Sequence, residues 1–134
     1  MLPEWPVGTV TILSTAGDRP HAVPVSAAAR VDEHHVLIAL GAGRQSLARL
    51  RADGRVALAI IAEDLAVTVH GTARVVEEEL VPGVAAVEIT AEDVQDHDRP
   101  EFAIEAGVRW RWTDEAAARR DAEVWRGLRD LALR

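Results

Sequence analysis

The chain has 134 residues, 49% of them hydrophobic, which is enough for one domain with a real core and argues against disorder. Its net charge of −7 argues against nucleic acid or an anionic membrane as the main partner, since both require a basic surface. The absence of cysteine excludes disulfides and thiol chemistry, and no apolar run is long enough for a transmembrane helix. We therefore expect a single cytoplasmic domain over residues 1–134.

Arginine supplies all 15 basic side chains, and the chain contains no lysine. A Schiff-base mechanism through a lysine amine is therefore excluded. Any bound phosphate must be held by arginine, by hydroxyl groups or by backbone N–H groups.

Turn residues separate three predicted strands in the first part of the chain. These strands are Gly8–Ser14, His21 to about Arg30, and Val36–Leu40. Pro24 inside the second strand predicts a bulge or an edge position, because proline cannot donate a ladder hydrogen bond. Leu47 and Leu50 then lie at helical spacing and predict a short amphipathic helix over Ser46–Ala52.

The second half of the chain predicts three more strands and a terminal helix. The strands are Arg55–Ile61, Leu65–Val76 and Glu101–Trp112. The pattern of Val84–Asp98 fits either a helix or a strand at its start, with a loop at its acidic end. A helix over about 113–132 is predicted from an N-cap at Thr113 and an apolar stripe at helical spacing. That stripe is Ala117, Val124, Trp125, Leu128 and Leu131.

Six strands, one short helix after the third strand and one terminal helix form a mainly β pattern typical of a barrel. An alternating β-α-β order, which would predict a parallel sheet, is not present.

Three sequence stretches occur in order in the first half of the chain. The first is a predicted hairpin formed by Thr11–Thr15 and Arg19–Val25. The second, Gly43–Leu58, contains the short helix and the sequence Asp-Gly-Arg-Val-Ala. The third is Val67–Val75, with the sequence Val-Thr-Val-His-Gly-Thr-Ala-Arg-Val. Together they resemble the pyridoxamine 5'-phosphate oxidase-like family, the FMN-binding split barrels. The resemblance implies a six-stranded split β-barrel that forms a homodimer and holds a flavin-like cofactor at the subunit interface.

The resemblance also assigns candidate cofactor contacts. Strands two and three would run along the flavin ring, and the loop entering the short helix would hold the phosphate, where a helix N-terminus favours an anion. Trp110 and Trp112 share one face of the sixth predicted strand. They could line the ring pocket, or they could pack in the core or in the dimer interface. The candidate cofactor-binding residues are Val23, Pro24, Val25, Ser26, Ala39, Leu40, Arg44, Gln45, Ser46 and Trp110.

The phosphate loop departs from the family pattern at one position. Family members commonly carry a Ser-Arg-Lys type triplet there, whereas this chain has Arg44-Gln45-Ser46, with serine at the lysine position. The resemblance implies FMN as the cofactor, and the serine at the lysine position leaves the deazaflavin coenzyme F-420 or no cofactor as alternatives. The C-terminal signature of pyridoxamine oxidase is not recognisable, so the vitamin B6 activity is not implied.

The histidines do not predict a metal site. His34 and His35 are adjacent and would point to opposite sides of an extended chain, which favours a turn. His21 lies at the start of the second strand, where it could contact the ring or act as a hydrogen-bonded surface or interface residue. No catalytic acid or base is assigned.

Three functions remain open from the sequence. The first is a flavin- or deazaflavin-dependent oxidoreductase acting on an unidentified small molecule, in which the cofactor carries the chemistry. The second is a non-enzymatic flavin-binding protein for storage, transport or sensing. The third is a cofactor-free structural dimer.

Overall fold

The computed structural model describes residues 1–134 and contains seven strands and two helices. The strands are β1 (Thr11–Thr15), β2 (His21–Val25), β3 (Ala28–Arg30), β4 (His35–Gly41), β5 (Arg55–Ala62), β6 (Leu65–Val81) and β7 (Val84–Asp96). The helices are α1 (Gln45–Ala52) and α2 (Glu115–Ala132). The mainly β class is confirmed, but the count of six strands is wrong. Neither helix has the length and apolar character needed to cross a membrane.

All seven strands belong to one antiparallel sheet in the order β2-β1-β5-β6-β7-β4-β3. The two outermost strands of this order, β2 and β3, are consecutive in the chain and separated only by Ser26 and Ala27. Because one short connection joins both edges, the sheet must curl until its edges meet. The result is a split barrel, whose seam lies between β2 on one side and β3 and β4 on the other.

The predicted second strand, His21 to about Arg30, is divided at this seam. Its first half pairs with β1, with Val25 opposite Thr11, and its second half pairs with β4, with Ala28 opposite Ile38. One predicted strand therefore becomes two, β2 and β3. Pro24 lies in β2, an outermost strand of the sheet, so the predicted edge position is confirmed.

The predicted sixth strand at Glu101–Trp112 is wrong. Residues 97–114, named here the C-terminal strap, run across the barrel with isolated backbone contacts. The Val10 N–H donates to the Val108 carbonyl at 2.9 Å, and the Asp64 N–H donates to the Ile104 carbonyl at 3.0 Å. The ambiguous segment instead supplies β7, a central strand paired with β4 and β6.

The barrel interior follows from the two-residue period of its strands. Fully buried aliphatic side chains fill it, among them Leu13, Ile38, Leu58, Ile60, Val69, Val87 and Ile89. In β4, the intervening residue Leu37 is also buried, because the outer face of this strand is covered by α2. This double burial explains why the β4 sequence is continuously apolar.

The terminal helix packs on the outside of its own barrel, as its apolar stripe predicts. Val124 and Leu128 are buried in a cluster with Leu37 and Ala86, the latter from β7. The helix begins one residue later than predicted, because Asp114 and not Thr113 is the N-cap. The Asp114 carboxylate accepts a hydrogen bond from the Ala117 N–H at 2.9 Å.

Candidate functional site

The seam brings together most of the residues predicted to contact a cofactor. β2 contributes an unpaired sheet edge, and the end of β4 lies across from it, with the Ala39 N–H donating to the Ala27 carbonyl at 3.1 Å. Helix α1 follows β4 directly and packs against both strands. The predicted ring segments and the predicted phosphate loop therefore lie along the same seam of the barrel.

Burial distinguishes the roles that these strand residues can play. Val25 and Leu40 are only 4% and 3% exposed, because their side chains point into the barrel core. Only their backbone atoms can face a ligand in the seam. Pro24 is exposed, and Val23, Ser26 and Ala39 are half-buried, so these four residues present both side chain and backbone at the surface.

The N-terminus of α1 is open to an anion. Arg44 is its N-cap residue, with extended backbone (φ −72°, ψ 142°), and no side chain caps the first turn. No acidic residue lies in that turn. Uncapped N–H groups and the partial positive charge of a helix N-terminus favour phosphate. Arg44 and Gln45 are exposed beside these groups and can reach a ligand.

Ser46, at the second helical position, has an unsatisfied hydroxyl. Its side chain has no exposed surface, and its Oγ has no hydrogen-bond partner. A buried polar group left in this state costs about 1–3 kcal/mol and is rare in native proteins. The one other buried side-chain atom without a partner is Nε2 of His21, at the start of β2. Both atoms lie on elements that border the seam.

Two ion pairs lie at the opposite end of α1. Arg51 donates to the Glu78 carboxylate on β6 at 2.6 Å, and this hydrogen bond lowers the pKa of Glu78. Just past the helix, Arg55 donates to Asp53 at 2.6 Å, and its hydrogen bonds lower the pKa of Asp53 to about 2. Both pairs are largely exposed and lie on the C-terminal side of α1, away from its N-terminal end.

Trp110 lies apart from the phosphate loop, on the C-terminal strap. It lines a cavity of about 430 Å³ together with Trp112, Trp125 and Ser26. Arg109, Arg126 and Arg129 also line this cavity. Ser26 is thus the predicted site residue that joins the seam to the cavity.

Sequence reasoning missed the contribution of α2 to this cavity. Trp125 was predicted only as part of the apolar stripe of the terminal helix, and Arg126 was not among the predicted site residues. A usable signal was present, since Asp121, Trp125 and Arg129 follow one another at i, i+4 and i+8 and share one helix face. The sequence does not show that the strap crosses opposite this face.

The remaining histidines belong to turns and surface contacts. His35 Nδ1 lies 2.9 Å from Asp32 Oδ1, and the His34 N–H donates to the same oxygen at 2.8 Å, which lowers the pKa of Asp32. His34 lies in the turn, as predicted, whereas His35 is the first residue of β4. No three histidine, aspartate or glutamate side chains cluster closely enough to hold a metal ion.

A split barrel with an uncapped helix N-terminus at its seam has the architecture of the flavin-binding split barrels. A family model described as pyridoxamine 5'-phosphate oxidase matches residues 2–111 of the chain. The match covers most of the sequence, so this protein belongs to that family. No curated protein sequence matches the chain significantly.

Solved structures share the fold at low sequence identity. HupZ of Group A Streptococcus has a TM-score of 0.58 at 16% identity, covering 74% of this chain and 90% of its own. A FAD-binding protein of Mesorhizobium loti has a TM-score of 0.56 at 16% identity, covering 66% and 84%. An F420 reductase has a TM-score of 0.58 at 13% identity, covering 66% and 90%. At these identities the likeness establishes the fold alone.

Proposed function

We propose that this protein binds a flavin or deazaflavin at the seam and acts as an oxidoreductase on a small molecule. The observation that carries the proposal is the uncapped N-terminus of α1, with the buried, unpartnered Oγ of Ser46 in its first turn. The names of the FAD-binding and F420 reductase neighbours support the same class of cofactor.

The residues present fit a phosphate-bearing cofactor. Arg44 would supply a charge-assisted contact to the phosphate, and Gln45 and Ser46 would supply amide, hydroxyl and backbone donors. Such donors replace the lysine that the family commonly carries. The open edge of β2 would hold the planar ring through backbone groups near Val25 and Ser26. FMN is the proposed cofactor, and F-420 is the alternative.

A bound flavin supplies hydride transfer, so the protein's part is to bind, orient and exclude water. The ionisable groups with shifted pKa values, such as Asp53 and Glu78, belong to surface hydrogen bonds and ion pairs away from the seam. We therefore assign no side chain as a general acid or base. The location of these shifted groups away from the seam also favours a second candidate function, a flavin carrier or sensor without turnover.

We further propose a homodimer formed through the barrel face that α2 leaves uncovered. Ile12 pairs with Pro24 on one side and Ala59 on the other, and Ile61 follows Ala59 on the same face of the sheet. Ile12 and Ile61 are 41% and 48% exposed. A second copy would bury this apolar face, which lies beside β2. Light scattering should then give about twice 14.5 kDa, whereas a monomer at micromolar concentration would contradict the proposal.

Cofactor binding is tested by titrating the protein with FMN and with F-420 while following flavin fluorescence and visible absorption. Arg44→Ala should weaken the preferred cofactor about ten- to hundredfold, the loss expected for a charge-assisted hydrogen bond of about 1.5–3 kcal/mol. Arg99→Ala is the matched control, because Arg99 is exposed on the strap and its loss changes the net charge equally.

Three outcomes separate the candidate functions. Equal dissociation constants for Arg44→Ala and the unaltered protein would contradict the phosphate assignment. Tight binding with reduction of the bound flavin by a nicotinamide donor would support the oxidoreductase. Tight binding of a flavin that no donor reduces would support the carrier, and no binding of either cofactor would support the structural dimer.

A further inference from the structure

The cavity beneath the C-terminal strap is separate from the phosphate loop. It lies between the strap, the turn at Val7 and Gly8, and α2, and no residue of α1 lines it. Its volume of about 430 Å³ is in the range of small-molecule sites, about 300–1,000 Å³. A neighbouring cavity of about 320 Å³ shares Val7, Trp125 and Arg129 with it. The two together form a cleft along one face of α2.

The lining of this cavity is basic in an acidic protein. Arg109, Arg126 and Arg129 face a single carboxylate, that of Asp121, although the whole chain carries a net charge of −7. The arginines that form salt bridges are others, namely Arg49, Arg51, Arg55, Arg74 and Arg119. The dipole of α2 accounts for one basic residue in its last turn, Arg129, but not for three arginines around one cavity.

The same cavity contains three of the four tryptophans. Trp110 and Trp112 contact each other edge to face, with ring centroids 6.3 Å apart and planes at 64°. Their exposed fractions are 46% and 45%, and Trp125 completes the set from α2. Indole rings present a large, rigid apolar surface, and a planar ligand would remove that surface from water. Arginine beside such rings selects a ligand that also carries negative charge.

We propose that this cavity binds a planar conjugated organic anion, and that this molecule is the substrate. The assignment as substrate rests on the proposed function, through Ser26, which borders both the seam and the cavity. The affinity of the cavity for an anion does not depend on the flavin, because the arginines and tryptophans that line it belong to the strap and α2.

The test uses naphthalene-2-carboxylate as the probe and its neutral isostere naphthalene-2-carboxamide as the comparison. Calorimetry and tryptophan quenching on the full chain should show that the carboxylate binds at least tenfold more tightly than the amide. The double variant Arg126→Gln, Arg129→Gln should lower carboxylate affinity at least tenfold and leave amide affinity unchanged. The control Arg111→Gln, Arg134→Gln changes net charge equally outside the cavity and should alter affinity less than twofold.

Equal affinity for the two probes, or an equal loss in the control variant, would overturn the inference. FMN titration of the same variants separates it from the proposed function. The Arg126 and Arg129 substitutions should leave FMN affinity unchanged, while Arg44→Ala should leave carboxylate affinity unchanged. If FMN displaces the carboxylate and loses affinity tenfold in the double variant, the cavity holds the cofactor ring and the substrate assignment is overturned. Carboxylate binding without flavin binding would support the anion site and refute the cofactor.

Discussion

Leu128 is the residue through which α2 should contribute most to stability. Its side chain is fully buried between the helix and the outer face of β4 and β7, in the cluster with Leu37 and Ala86. Leu128→Ala removes buried carbon atoms and leaves a cavity that the sheet cannot close, because the strands are held by their ladders. Such substitutions cost about 2–5 kcal/mol, and full burial supports a value of about 3 kcal/mol here.

Urea denaturation followed by circular dichroism measures this cost directly. A loss of about 3 kcal/mol corresponds to a fall in melting temperature of about 10–15 °C for a domain of this size. Leu133→Ala is the matched control, since Leu133 lies just past α2 and is 87% exposed, and it should change the free energy of unfolding by less than about 0.5 kcal/mol. A cost below about 1 kcal/mol for Leu128→Ala would refute the packing of α2 on its own barrel.

Two further predictions concern the strap and the end of α1. A Cβ at Gly107 would lie 1.7 Å from the Ile61 carbonyl oxygen, so Gly107→Ala should force the strap away from β5. Thermal melting should show a loss of about 1–3 kcal/mol in the free energy of unfolding. The control Gly43→Ala, with open space at its Cβ, should leave the free energy of unfolding unchanged. Arg55→Gln should raise the pKa of Asp53 from about 2 toward its ordinary 3.8, measured by NMR titration. Because the folded pKa of Asp53 is depressed, the pair stabilises the folded protein above about pH 4, and this stabilisation is lost as the pH falls to about 2. The stability of the variant should therefore depend less on pH between about pH 4 and pH 2. An unchanged Asp53 titration would contradict the pairing.

The sequence predicted the strands whose pattern is local. β1, β4 and β5 are continuous apolar or β-branched segments bounded by turn residues, and their centres were placed correctly. The division of the second strand at Ser26 was not predictable, because the residues on both sides are equally compatible with extended structure. Only the pairing partners, β1 for one half and β4 for the other, create the break.

In the second half of the chain, the wrong strand at Glu101–Trp112 and the undecided prediction for Val84–Asp98 have one physical cause. Val108, Trp110 and Trp112 alternate with polar residues as in a strand, yet all three are exposed, since no neighbouring strand is available to pair with the strap. Val84–Asp96 has a weaker pattern but lies between two strands, and this tertiary position makes it β7. Alternating apolar and polar residues indicate an extended chain, but an extended segment joins a sheet only where a neighbouring strand is available for hydrogen bonding.

Prediction of the candidate site had a similar limit. Arg44 and Ser46 could be named because a helix N-terminus and its loop are contiguous in sequence. The cavity beneath the strap could not, since it joins Val7, Ser26, Trp110 and Trp125, which are brought together only by the folded chain.

The single passage of the chain across the seam, at Ser26 and Ala27, has a consequence for hydrogen exchange. β2 and β3 each have one hydrogen-bonded neighbour, whereas β5, β6 and β7 each have two. Amide hydrogens of the two outer strands can therefore exchange through small openings that leave the central strands intact. A molecule bound across the seam would hold both edges together and slow exchange in β2 and β3 at once, including at amides it does not touch. Protection that spreads over both strands together would thus mark occupancy of the seam without requiring a spectroscopic signal from the ligand.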